Sequence, residues 1–150
     1  MDTVTYPQEK VIDFITDGMV PLRVAADHPL ASGYDVTWTP ALLVIDSEGK
    51  EYHRVVGFLP DDEFVPAILL GIGKAFFNKN EFSKALEKFE EIMTSYPASD
   101  SAAEAIFMAG VSGYKNSNDP MPLKKSYEYL AEKHPDSLWT KRAYPYRLLD

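Results

Sequence analysis

What most limits the folds open to this chain is a helical pattern in its second half that repeats its own punctuation. Pro97, Ser99 and Ala105 recur as Pro135, Ser137 and Ala143, with the same spacing after 38 residues. A repeat of that length is a supersecondary unit that cannot bury its apolar face alone and must stack on a neighbour. From Asp61 onward the apolar residues follow the helical period. They predict a helix over residues 63–77, a break at Asn78-Lys79-Asn80, and a helix over 81–95 stopped by Tyr96-Pro97. The same order returns as a helix over 101–115, a polar break at 116–120, a helix over 122–133 and a stop at His134-Pro135. A last short helix from Ser137 should fail near Pro145, which has no N–H to donate. Asp61, Asp62 and Glu63 suit a helix N-terminus, and Ser101 with Glu104 has the spacing of a capping box.

The first half reads differently. Pro7 opens a helix whose stripe is Val11, Ile12, Phe14 and Ile15, ending near Asp17-Gly18. Met19 to Val24 is a short apolar run containing Pro21, which predicts a strand near an edge or one entered through a bend. A brief helix over 29–32 is closed by Gly33 in the left-handed conformation. Residues 41–45, 46–50 and 51–58 then read as strand, tight turn and strand, and the unbroken apolar character of the first strand predicts burial on both faces.

Charge and composition narrow the function. The 150 residues are 45% hydrophobic and 13% aromatic, enough for a folded core. With 23 acidic against 15 basic residues the net charge is -8, which disfavours nucleic acid and anionic membranes as partners. No apolar run approaches the roughly 18 residues that span a bilayer, and no signal sequence opens the chain, so a cytoplasmic protein is expected. The chain has no cysteine, which excludes disulfides, thiolate nucleophiles and cysteine-based metal sites within it. His28, His53 and His134 share no short spacing and read as ordinary surface or turn residues, so neither metal nor cofactor is expected. Asp46 and Glu48 belong to a turn, and Glu90-Glu91 to a solvated helix face, which gives no support to a carboxylate hydrolase.

Taking Pro66 as the first position of a unit of about 34 residues puts Leu69, Ile72, Gly73, Phe76, Ala85, Phe89, Ile92 and Pro97 at the defining places of a tetratricopeptide repeat. A second unit from Glu104 supplies Phe107, Gly110, Val111, Tyr114, Leu123, Tyr127, Leu130 and Pro135, with its small residue one place early and Leu123 in place of the usual alanine. The segment from Pro66 to Ala143 resembles that family. Gly71 and Gly73 are assigned to close packing of the paired helices; their Gly-Ile-Gly-Lys string lacks the frame of a phosphate loop. The inner-face positions Leu70, Lys74, Phe77 and Asn78, with Met108, Ser112 and Lys115, are the candidate partner-binding residues. Trp139, Tyr144 and Tyr146, near Arg142 and Arg147, read as a terminal helix docking on the last repeat, and as a second place for self-association.

Residues Thr5 to Leu70 resemble the back end of a thioredoxin-like domain, and Thr39-Pro40-Ala41-Leu42-Leu43-Val44 is similar to the stretch bearing that family's cis-proline. The resemblance marks Thr39 and Pro40 as that bond. It also implies that a central strand and a Cys-x-x-Cys loop would precede the first helix. Either the chain is a fragment whose redox residues lie upstream of Met1, or it is a variant that has discarded them. The expected fold is an α+β part over residues 1–65, an incomplete thioredoxin-like fold, followed over 66–150 by all-α tetratricopeptide-like hairpins, two repeats plus a terminal helix. The expected function is a non-catalytic protein-interaction or scaffold module, redox-inactive, binding a protein or a second copy of itself; the alternative is part of a thiol-disulfide oxidoreductase. Strand residues Val20 to Val24 and Leu42 to Ile45, left without a neighbour, are expected to pair with each other or to recruit a second copy as a homodimer.

Overall fold

The computed structural model describes residues 1–150. The chain is mostly helical with one small antiparallel sheet. Helices α1 (Glu9–Gly18) and α2 (Pro29–Gly33) precede strands β1 (Ala41–Ile45) and β2 (Glu51–Val56). Helices α3 (Asp61–Asn78), α4 (Phe82–Ser95), α5 (Ala102–Ser117), α6 (Met121–Lys133) and α7 (Leu138–Ala143) follow, and a 3-10 helix over Tyr144–Leu148 ends the chain. From α3 to α6 each helix packs on the next, while α7 rests on α5 and α6. Pro145 marks where the α-helical ladder gives way to the 3-10 turn.

Helix α3 is the centre of this arrangement. Phe64 to Gly71 is buried without interruption, as expected of a helix that is apolar all round. It packs on α1, on both strands and on α4. One core cluster therefore joins Val11 of α1, Phe64, Val65, Ile68, Leu69 and Leu70 of α3, Ala85, Phe89 and Ile92 of α4, and Ala105 and Ala109 of α5. The 65/66 boundary falls inside this helix. Pro66 lies in its second turn, where the carbonyl deprived of a partner belongs to the exposed Asp62. The N-terminal turn is fastened to the same helix: fully buried Thr5 donates to Leu59 O at 2.6 Å, and Tyr6 stands edge-on to Phe64 at 5.8 Å.

Two glycines set the helix's neighbours. A Cβ on Gly73 would lie 2.8 Å from Phe89 Cζ, so α4 seats its fully buried phenylalanine on bare backbone. A Cβ on Gly71 would lie 2.6 Å from Val44 Cγ2 and 2.9 Å from His53 Cβ. Gly71 thus receives the β-hairpin and not, as its place in the repeat suggests, the paired helix; residues two apart on a helix face different ways. In the second hairpin a Cβ on Gly110 would lie 2.5 Å from Ser126 Cβ, and one on Gly113 2.8 Å from Pro122 Cβ. The close contact there is made by Ser126 and Pro122, leaving room for Leu123 in the usual alanine place.

Several expectations are corrected. Residues 19–24 form no strand: Val20 is 95% and Leu22 71% exposed, and the sheet holds β1 and β2 alone. A single extended segment gains nothing from the β conformation without a partner ladder, and Pro21 offers no donor. The direct pairing of Val20 to Val24 with Leu42 to Ile45 is therefore not made. β1 is only half-buried, because α3 covers one of its faces. Gly33 does not take the left-handed conformation; Asp35 does, with φ of 52°. Neither Ser101 nor the Asp61 carboxylate caps its helix. Asp61 pairs with Lys10 at 2.9 Å, and Glu63 accepts from the Asp100 N–H at 3.0 Å, so these carboxylates tie α3 to other segments.

Replacing Gly73 by Ala should lower stability by about 2 kcal/mol in denaturant melts, the usual cost of forcing a methyl into a filled core. Gly18→Ala, whose Cβ meets nothing within 4 Å, should leave the midpoint unchanged or raise it. Equal losses in both variants would show that the Phe89 seat is not what requires glycine at 73.

Candidate interaction surface

The hairpin brings three kinds of group together. Its turn is organised by Asp46, whose carboxylate accepts from the Glu48 and Lys50 N–H groups at 3.0 Å each and from Tyr52 Oη at 2.9 Å, with Lys79 Nζ at 3.5 Å. These donors, the Lys50 amide first, hold its pKa below the ordinary carboxylate range. Lys50 and Lys79 lie over the Tyr52 ring at 5.0 and 5.9 Å. On the far face Arg54 reaches back to the loop after α2: its Nη2 donates to Tyr34 O at 2.5 Å and to Glu51 Oε2 at 2.6 Å. Tyr34 Oη donates in turn to Gly49 O at 2.7 Å. Glu48 takes no part in any ion pair, Glu90 is exposed, and Glu91 pairs with Lys88 at 3.2 Å, so none of these carboxylates faces a second one across a cleft.

Between hairpin and helices lies a mixed polar cluster. Lys74 of α3 pairs with Glu104 of α5 at 2.5 Å, and its Nζ stands 3.4 Å from His53 Nδ1 on β2. In that geometry the ammonium donates and the ring nitrogen accepts, which leaves the imidazole proton on Nε2. Burial, reinforced by the Lys74 charge and opposed by Glu51, lowers the His53 pKa to about 4. His53 is thus no ordinary surface residue. His28 caps α2, accepting from the Leu30 N–H, and the carbonyl of His134 receives Thr140 Oγ1 at 2.6 Å. No group of three or more His, Asp or Glu side chains is placed to hold a metal ion.

The seven groove residues do not share an open surface. Leu70 is 3% exposed and Ser112 fully buried, because the faces they occupy are covered by neighbouring elements. Lys74 is committed to Glu104, Met108 is half-buried against the core, and Phe77 stands edge-on to Phe82 at 5.3 Å. Asn78 and Lys115 are exposed, and Asn78 Nδ2 donates to Lys74 O at 2.9 Å. Helix α3 cannot present an inner face to a ligand while the hairpin and α4 occupy it.

The exposed apolar surface lies elsewhere. The Thr39-Pro40 peptide bond is cis, and Gly57 N donates to Pro40 O at 2.8 Å. Trp38 and Phe58 flank this end of the hairpin, 70% and 57% exposed, with Val56 at 51%. Only the neighbouring Pro40 signalled that end in the sequence; Trp38 and Phe58 look like core residues until the sheet is seen to stop at two strands. At the other end of the chain Phe107 meets Trp139 in a tilted pair at 5.2 Å and stacks with Tyr146 at 5.9 Å, while Arg142 covers Trp139 and Arg147 covers Tyr144. These contacts dock α7 and the 3-10 helix onto α5 and α6. No helix is long and apolar enough to cross a membrane. No protein-family model matches the chain, and no curated protein sequence matches it.

Because folded His53 stays neutral down to about pH 4 while an unfolded histidine titrates near 6.5, the unfolded chain binds more protons between those values. The contribution is present above pH 6.5 and is lost as pH falls toward 4, by about 2 kcal/mol. Urea melts of the wild type and His53→Gln at pH 7 and pH 5 should show the larger drop in the wild type. Parallel pH dependence in the two would remove His53 as its source.

Proposed function

We propose that this chain is a non-catalytic protein-interaction module, in which a thioredoxin-like part without redox residues is joined to tetratricopeptide-like helical hairpins. The observation that carries the reading is the exposed apolar surface at the cis-proline end of the hairpin, where Trp38, Val56 and Phe58 stand in solvent on an ordered scaffold. Large apolar side chains exposed together at one end of a hairpin favour an interaction site, and aromatic side chains are among those that anchor partners. The fold supports the family reading in its particulars. Gly73 under Phe89 and Gly110 under Ser126 give both helical hairpins a close approach, and His134 and Tyr96 end α6 and α4 in the same backbone conformation. The ionisable groups support a scaffold as well: His53, Lys74 and Glu104 satisfy one another between packed elements, and Asp46 is saturated by its own turn.

A photo-crosslinking amino acid at position 38 should capture a discrete protein in cells, whereas the same group at Glu87, on the solvated face of α4, should not. The captured protein, purified, should bind the wild-type chain in calorimetry and bind Trp38→Ala at least tenfold more weakly, as expected for an aromatic anchor worth about 2 kcal/mol. Equal capture at both positions, or unchanged affinity of Trp38→Ala, would overturn the assignment of this surface.

A further inference from the structure

We propose that the groove between α6 and α7 docks an acidic segment of a partner protein, one that carries carboxylates beside aromatic side chains. The inference rests on the interaction-module reading and adds a second surface, which shares no residue with the first, together with the chemistry of its partner. The groove has a volume of about 460 Å³ and is lined by Tyr127 and Ala131 of α6, Pro135 of the turn that follows, Thr140 and Lys141 of α7, and Tyr144 of the 3-10 helix. The 3-10 helix packs back on both α6 and α7, which fixes Tyr144 in the lining. Tyr127 and Tyr144 meet edge-on at 6.0 Å. The Thr140 hydroxyl is spent on the His134 carbonyl. The lining thus offers apolar and aromatic surface, two phenol hydroxyls and one ammonium, and it holds no carboxylate.

Charge selects the occupant. Residues 121–150 hold six basic and four acidic side chains, whereas residues 1–120 hold nine basic and nineteen acidic ones. Seven of those nine cations are committed to ion pairs. Of the six in the last thirty residues only Lys133 is, to Glu132. Lys141 and Arg147 are exposed and have no carboxylate partner. The Arg147 guanidinium lies over the Tyr144 ring at 4.2 Å, and a guanidinium stacked in this way keeps its N–H edge for a carboxylate. One uncommitted cation therefore sits in the lining, and a second sits on a ring that lines it. A segment alternating carboxylate and aromatic side chains would pair with both cations and lay its rings on Ala131 and Pro135 beside the two tyrosines. A basic segment would meet like charge at both positions.

The test titrates three capped peptides into the full chain at low salt, one alternating glutamate and tyrosine, one lysine and tyrosine, and one glutamate and serine. The glutamate-tyrosine peptide should bind about tenfold more tightly than either of the others and lose affinity as salt rises. In NMR spectra it should shift the amides of Lys141, Tyr144 and Arg147 and leave that of Trp38 in place. Lys141→Gln with Arg147→Gln should weaken binding about tenfold. Lys50→Gln with Lys115→Gln, which removes the two cations elsewhere that lack an ion pair, should change it by about twofold or less. Equal binding of the lysine-tyrosine peptide would overturn the proposal, and so would equal binding of the glutamate-serine peptide, which would reduce it to bare charge attraction. Equal losses in the two double variants would also sink it, as an effect of net charge alone. Self-association of the wild type that rises with its concentration and vanishes in Lys141→Gln with Arg147→Gln would overturn it too, by placing a second copy in the groove. If the glutamate-tyrosine peptide fails while crosslinking at position 38 still captures a partner whose affinity depends on Trp38, this inference falls and the interaction-module reading stands.

Discussion

The structure depends on the bare backbone at two positions of one helix. Gly71 and Gly73 lie two residues apart in α3, so they open on different sides, one toward Val44 and His53 and the other toward Phe89. Side chains there would hold the hairpin and α4 at a distance that leaves voids on both sides, and interiors tolerate neither voids nor overpacking. Because α3 reaches both layers, the apolar cluster runs unbroken from Val11 to Ala109. The small sheet and the helical array then share one core. This answers how two helical hairpins, fewer than a repeat array needs to stand alone, come to be supported: α3 belongs to the first hairpin and is also the helix on which the sheet lies.

The polar groups follow from that contact. Bringing β2 onto α3 places His53 beside Lys74, and stacking α5 on the array brings Glu104 to the same ammonium. One cation thereby satisfies an imidazole from the sheet and a carboxylate from the second hairpin. The imidazole stays neutral because burial and the adjacent positive charge both disfavour protonation. The remaining charge is unevenly distributed. Residues 66–150 hold eleven acidic and eleven basic side chains, so the negative field comes from the part that carries the hairpin.

Helical periodicity was readable because it depends on local spacing. The breaks at Asn78–Asn80 and Asn116–Pro120, the stops at Pro97 and Pro135, and the hairpin turn around Asp46-Ser47-Glu48-Gly49-Lys50 all fall where composition places them. What could not be read depended on neighbours. Leu70 is expected on an open inner face but is buried here, since one face of α3 is taken by a sheet that helical spacing does not encode. Glu104 matches a capping box, yet a lysine from another helix offered it a stronger, charge-assisted partner than the backbone did. Val20 and Leu22 have strand composition without a strand to pair with, and hydrogen bonding overrides propensity.

A two-stranded hairpin in water is only marginally stable, and this one is held by contacts it does not make itself. Gly71 admits Val44 and His53 to the surface of α3, and Arg54 and Tyr34 clasp the opposite face to the loop after α2. With both faces restrained, β1 stays extended although nothing pairs with its outer edge. The close approach at Gly71 therefore does more than fill the core: by seating Val44 and His53 against α3, it holds in place two strands that would be only marginally stable alone.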